Sequence, residues 1–176
     1  MNALLAVLAL ALAFSVAFAV PEDGPGALVV CSLMAVSIGL GLSRMKEHSE
    51  FLTRLFTAGL LVRMAIGMVI YALKLQEFFG GDATTYDSTG YLLVKFWHGE
   101  MNYGSYESLL GPFLGRNWGM PYLVAGIYYI VGRNTLAVQF FNAVIGAATA
   151  PVIFLCARHI FRNVRAAKLA AFFVAF

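Results

Sequence analysis

The sequence predicts an all-α fold, a polytopic transmembrane helix bundle with juxtamembrane helices on its outer face, and three observations carry that prediction. Of 176 residues, 61% are hydrophobic and only 12% charged, a balance outside the range of soluble domains. Apolar runs of about 20 residues, the length a helix needs to cross the hydrocarbon core, recur along the chain. The Lys and Arg residues sit in short clusters beside those runs, the distribution that orients membrane helices. The formal charge of +3 therefore predicts a bilayer partner and no nucleic acid.

The first run, Asn2 to Val20, is broken by Pro21-Glu22-Asp23-Gly24-Pro25-Gly26, a turn-forming segment that no spanning helix carries through. It pairs as a hairpin with a second run, Ala27 to Leu42. Ala17-Phe18-Ala19 has the small-x-small pattern of a signal-peptidase site, but the run lacks a basic leader, so a retained helix is expected. A polar stretch, Ser43 to Arg54, separates this hairpin from a third run, Leu55 to Leu73. Residues 1–54 are thus a hairpin and cytoplasmic loop, and 55–176 form the remaining membrane region. Arg63 inside the third run is expensive in hydrocarbon, and snorkelling to the inner interface is its expected solution.

A mixed segment of roughly 60 residues follows, far longer than a mere link between two helices. Within it only Pro121 to Val131 is continuously apolar, and such a stretch rises about 16 Å as helix, half the hydrocarbon thickness. Thr135 to Ala157 is long enough to span and is followed by Arg158, Arg162, Arg165 and Lys168. A last run begins near Leu169 and is cut off at Phe176. About eight residues cannot cross a bilayer, so the chain is expected to be the amino-terminal part of a longer protein.

Arg44, Lys46 and Arg54 mark one cytoplasmic loop, and the cluster from Arg158 to Lys168 marks another. Both are cytoplasmic only if the chain between them crosses an even number of times. That places 121–131 in the outer interface, with Tyr122, Tyr128 and Tyr129 at headgroup level, and the loop from Lys74 to Asn134 outside.

The candidate chemistry lies in that loop. Gly80 and Gly81 release the chain from the third helix, after which Asp82 caps an amphipathic helix carrying Tyr86, Leu93 and Trp97 on neighbouring turns. A carboxylate at the membrane surface is placed to take a proton from an acceptor hydroxyl or amine. The competing reading is that Asp82 only caps and Asp87 only faces water. The two carboxylates fall about 140° apart around a helix, so they share neither a proton nor a metal. Arg116, with Asn117 and Trp118, is placed to meet either a phosphate group or a lipid headgroup. His98 stands alone and receives no role. Cys31 and Cys156 lie far apart inside apolar runs and read as small buried apolar residues.

A spanning helix, Gly81-Asp82-Ala83, Tyr86-Asp87 and an interfacial helix ending near Gly99 together resemble the first outer loop of the GT-C glycosyltransferase superfamily. The nearest-looking members are the dolichyl-phosphate-mannose protein mannosyltransferases and the bacterial aminoarabinose transferases. Met120-Pro121-Tyr122 with Tyr128 to Gly132 is similar to their second juxtamembrane helix. Gly132-Arg133-Asn134 through Asn142 to Gly146, then Ala157 to Phe161 with Ala166, Ala167, Leu169 and Ala170, is similar to their next span and the start of the one after.

The resemblance covers roughly Arg63 to Phe176. It implies a membrane glycosyltransferase that moves a sugar from a polyprenyl-phosphate donor to a protein, lipid or glycan acceptor at the non-cytoplasmic face. Asp82 would be the catalytic carboxylate, Asp87 a second, and Tyr86 and Arg116 substrate contacts. No nucleotide sugar is implied and no metal or cofactor is assigned. The two runs before Leu55 are extra relative to the single leading helix of these enzymes, and the short loops point to a bacterial inner membrane. The alternative from another class is a small non-catalytic membrane scaffold or assembly subunit whose outer loop binds a partner. A transporter fragment is disfavoured, since membrane-embedded carboxylates and paired broken helices are missing from the sequence pattern.

Overall fold

The computed structural model describes residues 3–75, 78, 82–108, 111 and 119–176. Among these residues the principal helices are α1 (Ala3–Ala19), α2 (Gly24–Ser43), α3 (Ser49–Ala72), α4 (Asp82–Trp97), α5 (Gly119–Val131), α6 (Thr135–Phe161) and α7 (Val164–Ala175). A short helical turn covers 103–108, and no strand occurs among the described residues. The fold is all-α. Helices α2, α3 and α6 are long and apolar enough to cross a membrane, while α1 and α5 are apolar but shorter.

The hairpin turn is tighter than the sequence predicts. Pro25 occupies the first turn of α2, where its missing N–H and fixed φ suit a helix start, so Gly24-Pro25-Gly26 belongs to the helix. Gly24 is needed for close approach: a Cβ there would lie 2.6 Å from the Val16 carbonyl oxygen of α1. Helix α3 likewise starts earlier than predicted, at Ser49, and the Glu50–Arg54 ion pair at 2.5 Å supports its first turns. It ends at Ala72, and the chain turns away through Lys74 in the left-handed region, φ 54°. The exit thus comes before Gly80 and Gly81, which lie outside the described residues. Asn134 begins α6 by accepting the Ala137 N–H at 2.7 Å, and Asn163 does the same for α7 with the Arg165 and Ala166 N–H groups.

Helix α6 is central and packs against α2, α3 and α7. Its buried face alternates large Leu136, Phe140, Val144 and Phe154 with Ala137, Ala143, Ala147, Ala150 and Ala157. Helix α7 answers with Ala167, Ala171 and Ala175, each a helical turn apart. Small residues at such spacing let backbones approach closely, which drives association where lipid removes the hydrophobic contrast. The outward faces carry Leu10, Phe14 and Phe18 on α1, Leu33 on α2, Ile66 on α3 and Phe173 on α7, all exposed. Apolar surface on several helices at once suits hydrocarbon, not water. The protein is a membrane protein.

Two sequence expectations are corrected within the spans. Arg63 does not snorkel: its guanidinium donates to the Val174 carbonyl at 2.8 Å and to the Ala175 carbonyl. Gly59 and Gly146 open the niche, and a Cβ at Gly146 would sit 3.0 Å from Arg63 Nε. The arginine is thus met by backbone acceptors inside the bundle. Cys31 is buried with its thiol 3.6 Å from the Met64 sulfur, but Cys156 is exposed on the outer face of α6.

Charge divides the bundle into two ends. Seven of the 12 Lys and Arg residues, Arg44, Lys46, Arg54, Arg158, Arg162, Arg165 and Lys168, gather where α2 meets α3 and α6 meets α7. This basic end is tied together by the Arg158–Glu47 ion pair. The opposite, acidic end holds the α1–α2 turn, α4, α5 and the α5–α6 link, with Glu22, Asp23, Asp82, Asp87, Glu100 and Glu107.

Candidate functional site

A cavity of about 790 Å³ opens at the acidic end. Ile70 and Lys74 at the end of α3 form one wall, and Asp82, Tyr86 and Asp87 of α4 another. Met120, Val124 and Tyr128 come from α5; Thr135, Val138, Gln139 and Asn142 come from α6. Two span-length helices and two shorter ones therefore share one hollow. Helix α4 reaches this position by packing on α5, which in turn contacts α6 and α2. Their seam is close: a Cβ on Gly90 would lie 2.6 Å from Val124 Cγ1. Thr89, Gly90, Leu93 and Val94 form the buried face of α4. Trp97 is exposed, with its ring 6.3 Å from Tyr122 and 6.2 Å from Tyr129.

Asp82 lies in the first described turn of α4, and its exposed carboxylate stands on the cavity rim. An acidic residue in a first turn is favoured by the exposed N–H groups there. Tyr86 follows one turn later, partly buried and on the same cavity.

Asp87 does not simply face water. Its Oδ1 accepts from the Tyr128 hydroxyl at 2.7 Å and from Arg133 Nε at 3.1 Å, and its Oδ2 accepts from Arg133 Nη2 at 2.5 Å. Burial alone would push this carboxyl up, but the Arg133 and Tyr128 hydrogen bonds outweigh it and hold Asp87 below its ordinary range. The same contacts act on the partners. Burial first, then the bond to Asp87, pushes the Tyr128 hydroxyl strongly up, and Asp87 raises Arg133 further. Arg133 also lies 4.7 Å over the Tyr91 ring. Tyr128, expected at headgroup level, is 3% exposed and turned inward, where its hydroxyl donates to the partly buried Asp87 carboxylate.

A second set of bonds joins the amino-terminal hairpin to this end. The Tyr71 hydroxyl of α3 donates to Asp23 Oδ2 at 2.5 Å, and Asn134 Nδ2 donates to the Asp23 carbonyl at 2.7 Å. Asn134, 3% exposed, thus holds the hairpin turn with one end of its amide and caps α6 with the other. The hairpin is part of the bundle, not an appendage. Lys74 lines both the main cavity and a neighbouring hollow of about 600 Å³ beside this turn. Its side chain makes no hydrogen bond or ion pair among the described residues.

The structure therefore brings Asp82, Tyr86 and Asp87 to one cavity, while Arg116 lies outside the described residues. Sequence reasoning missed Lys74, Arg133 and the inward role of Tyr128. It also missed Gln139 and Asn142, although Thr135-x3-Gln139-x2-Asn142 is legible as a polar stripe at helical spacing within an apolar run. Nothing local signals the Asp87–Arg133 pair, whose members are 46 positions apart. Among the described residues no group of three His, Cys, Asp or Glu is arranged to hold a metal ion. Chemically, the site offers an exposed carboxylate, a cation with no partner among the described residues, amide groups and apolar walls in one hollow. No protein-family model matches the chain, and neither curated proteins nor solved structures gave a match.

Proposed function

We propose that the protein is a membrane glycosyltransferase that moves a sugar from a polyprenyl-phosphate donor to an acceptor at the non-cytoplasmic face of a bacterial inner membrane. The observation that carries this reading is Asp82 on the rim of a cavity walled by both span-length and shorter helices. A lipid-linked sugar needs such a meeting place: its chain stays in hydrocarbon while its sugar reaches a polar acceptor. The gathering of positive charge at the opposite end supports the orientation, since cytoplasmic loops are rich in Lys and Arg.

In this mechanism Asp82 accepts the proton of the acceptor hydroxyl as that oxygen attacks the anomeric carbon. The anomeric carbon's bond to the phosphate oxygen breaks, and its electron pair leaves with polyprenyl phosphate. Lys74, on the rim, offsets the charge of that phosphate. Asp87 is a poor base, because its proton affinity is lowered by the bonds that tie it to Arg133 and Tyr128. It is a positioning residue that fixes α4 against the start of α6.

Asp82→Asn in the full-length protein is expected to slow consumption of a radiolabelled polyprenyl-phosphate sugar by about 10²- to 10⁴-fold, with membrane insertion unchanged. Undiminished turnover would remove Asp82 from the chemistry. In a background with Cys31 and Cys156 replaced by Ala, Asp82→Cys is expected to react with an impermeant thiol reagent on intact cells. Labelling only after permeabilisation would reverse the orientation.

A further inference from the structure

Helix α6 is apolar along most of its length, yet Thr135, Gln139 and Asn142 recur at i, i+4 and i+7 and so share one face. All three line the cavity. The stripe carries polar groups about 10 Å down the helix from its start, into the part of the chain that lies between apolar neighbours. Polar side chains at such depth are costly and persist where they serve a partner. Gln139 shows the cost directly: its Oε1 is buried, faces α3 opposite Gly67, and accepts no hydrogen bond among the described residues. A Leu at this position would pack the α3–α6 seam without an orphaned acceptor, so packing alone does not account for the glutamine.

The same cavity is also lined by the apolar side chains Ile70, Met120, Val124 and Val138. A hollow lined by both amides and apolar side chains suits a pyranose or pentose ring, whose edge carries hydroxyls and whose face carries C–H groups. A phosphate would find neither a cation nor backbone N–H groups on the stripe; Lys74 lies at the rim instead.

We infer that Gln139 and Asn142 form the subsite that reads the hydroxyl or amino groups of the donor sugar, with the Gln139 amide turning its oxygen toward a sugar donor group. This rests on the glycosyltransferase reading and adds which residues set sugar specificity. A site built to hydrogen-bond a hydroxyl rejects a ligand that lacks it, because its own buried polar atoms are then left unpaired. The amide stripe is thus the part of the cavity that distinguishes one glycosylated lipid from another, while Lys74 and the apolar walls accept any polyprenyl phosphate.

The test uses full-length protein in lipid nanodiscs and four probes: bare polyprenyl phosphate and the same lipid carrying mannose, glucose or aminoarabinose. At least one glycosylated probe is expected to bind about tenfold more tightly than the bare lipid. Gln139→Leu is expected to erase that gain, leave affinity for the bare lipid unchanged, and keep or raise thermal stability. Asn142→Ala, at an exposed position, gives a second variant that does not disturb the α3–α6 seam and is expected to shrink the same gain. Retention of the full gain in both variants overturns the subsite. Binding of the bare lipid with no gain from any of the three sugars overturns the subsite and leaves the lipid-phosphate site standing. Binding of none of the four probes overturns the subsite and the transferase reading together.

Discussion

The basic end of the bundle and the acidic end are closed by the same helices in different ways. At the basic end, residues 44–48 join α2 to α3 and residues 162–163 join α6 to α7, so little chain intervenes and the side chains satisfy one another. Arg158 pairs with Glu47, the rings of His48 and Phe51 lie 5.3 and 5.5 Å from Phe154, and Lys168 sits 5.0 Å over Phe51. A cleft at this end, between Ser43 and the first turns of α3, measures about 240 Å³. At the acidic end the chain leaves α3 after Ala72 and re-enters the bundle only at Thr135, and α4 is held through α5. Some polar groups there are bound tightly, as in Asp87–Arg133–Tyr128 and Asp23–Tyr71. Others, Asp82 and Lys74 at the rim and the Gln139 Oε1 below, have no partner among the described residues around a cavity of about 790 Å³. Short connections force mutual satisfaction; a long excursion lets a protein keep polar groups in reserve, and reserve is what binding and catalysis require.

The contrast is most exposed to failure at Gly90, where α4 approaches α5 most closely among the glycines of the acidic end. A Cβ there would meet Val124 Cγ1 at 2.6 Å and Val124 Cβ at 3.0 Å, with the Ala125 backbone nitrogen at 3.3 Å. Since part of the obstacle is backbone and the rest branches directly from it, a rotamer change does not relieve it. Gly90→Val is expected to cost about 3 kcal/mol, the upper part of the range for overpacking. It should raise hydrogen exchange at the α4 amides while leaving α2, α3 and the basic end as protected as in the parent. Exchange that rises equally at both ends would show that the two are one cooperative unit and that α4 is not a separately held element.

Legibility in the sequence follows the same division. The spans are readable because about 20 consecutive apolar residues suit the hydrocarbon core and few environments besides. The basic end is readable because Arg and Lys cluster locally in sequence. Helix boundaries drift where capping chemistry competes with polarity. Ser49 to Arg54 looks like loop by charge but is helix by its Glu50–Arg54 spacing. Pro25 looks like a break but starts α2. Asp82, Tyr86 and Asp87 stand out because three chemically apt residues fall within two turns. Arg133 does not, since a partner 46 positions from Asp87 is visible only once α5 folds back over α4. Arg63 misleads for the same reason: its carbonyl partners, Val174 and Ala175, are remote in the chain.

The Asp87 pair sharpens the comparison by pH. Its carboxyl is held below the ordinary range, so the ionised form is the one the fold favours. That stabilisation is complete above the unfolded carboxylate pKa of about 3.9 and is lost as pH falls from there through the lower folded value. Because Arg133 is 48% exposed against 18% for Asp87, solvent screening keeps the pair modest, and Asp87→Asn is expected to cost about 1–2 kcal/mol near neutral pH. Unfolding midpoints of parent and variant measured between about pH 3 and 7 should converge toward the acid limb. Curves that stay parallel would mean that Asp87 is not the group whose protonation loosens α4.

The smallest effect belongs to the basic end, although its ion pair looks equally direct. Glu47 is 63% exposed and Arg158 36%, and pairs so open to solvent contribute about 0–1 kcal/mol, less in salt. Glu47→Gln is therefore expected to lower stability by less than about 1 kcal/mol, with the difference vanishing at high ionic strength, because Phe154 with His48 and Phe51 already closes this end by packing. A salt-insensitive loss larger than the one at Asp87 would reverse the comparison. The basic end would then be an electrostatic latch between the α2–α3 and α6–α7 connections, and it would contain the more strongly coupled charges of the molecule.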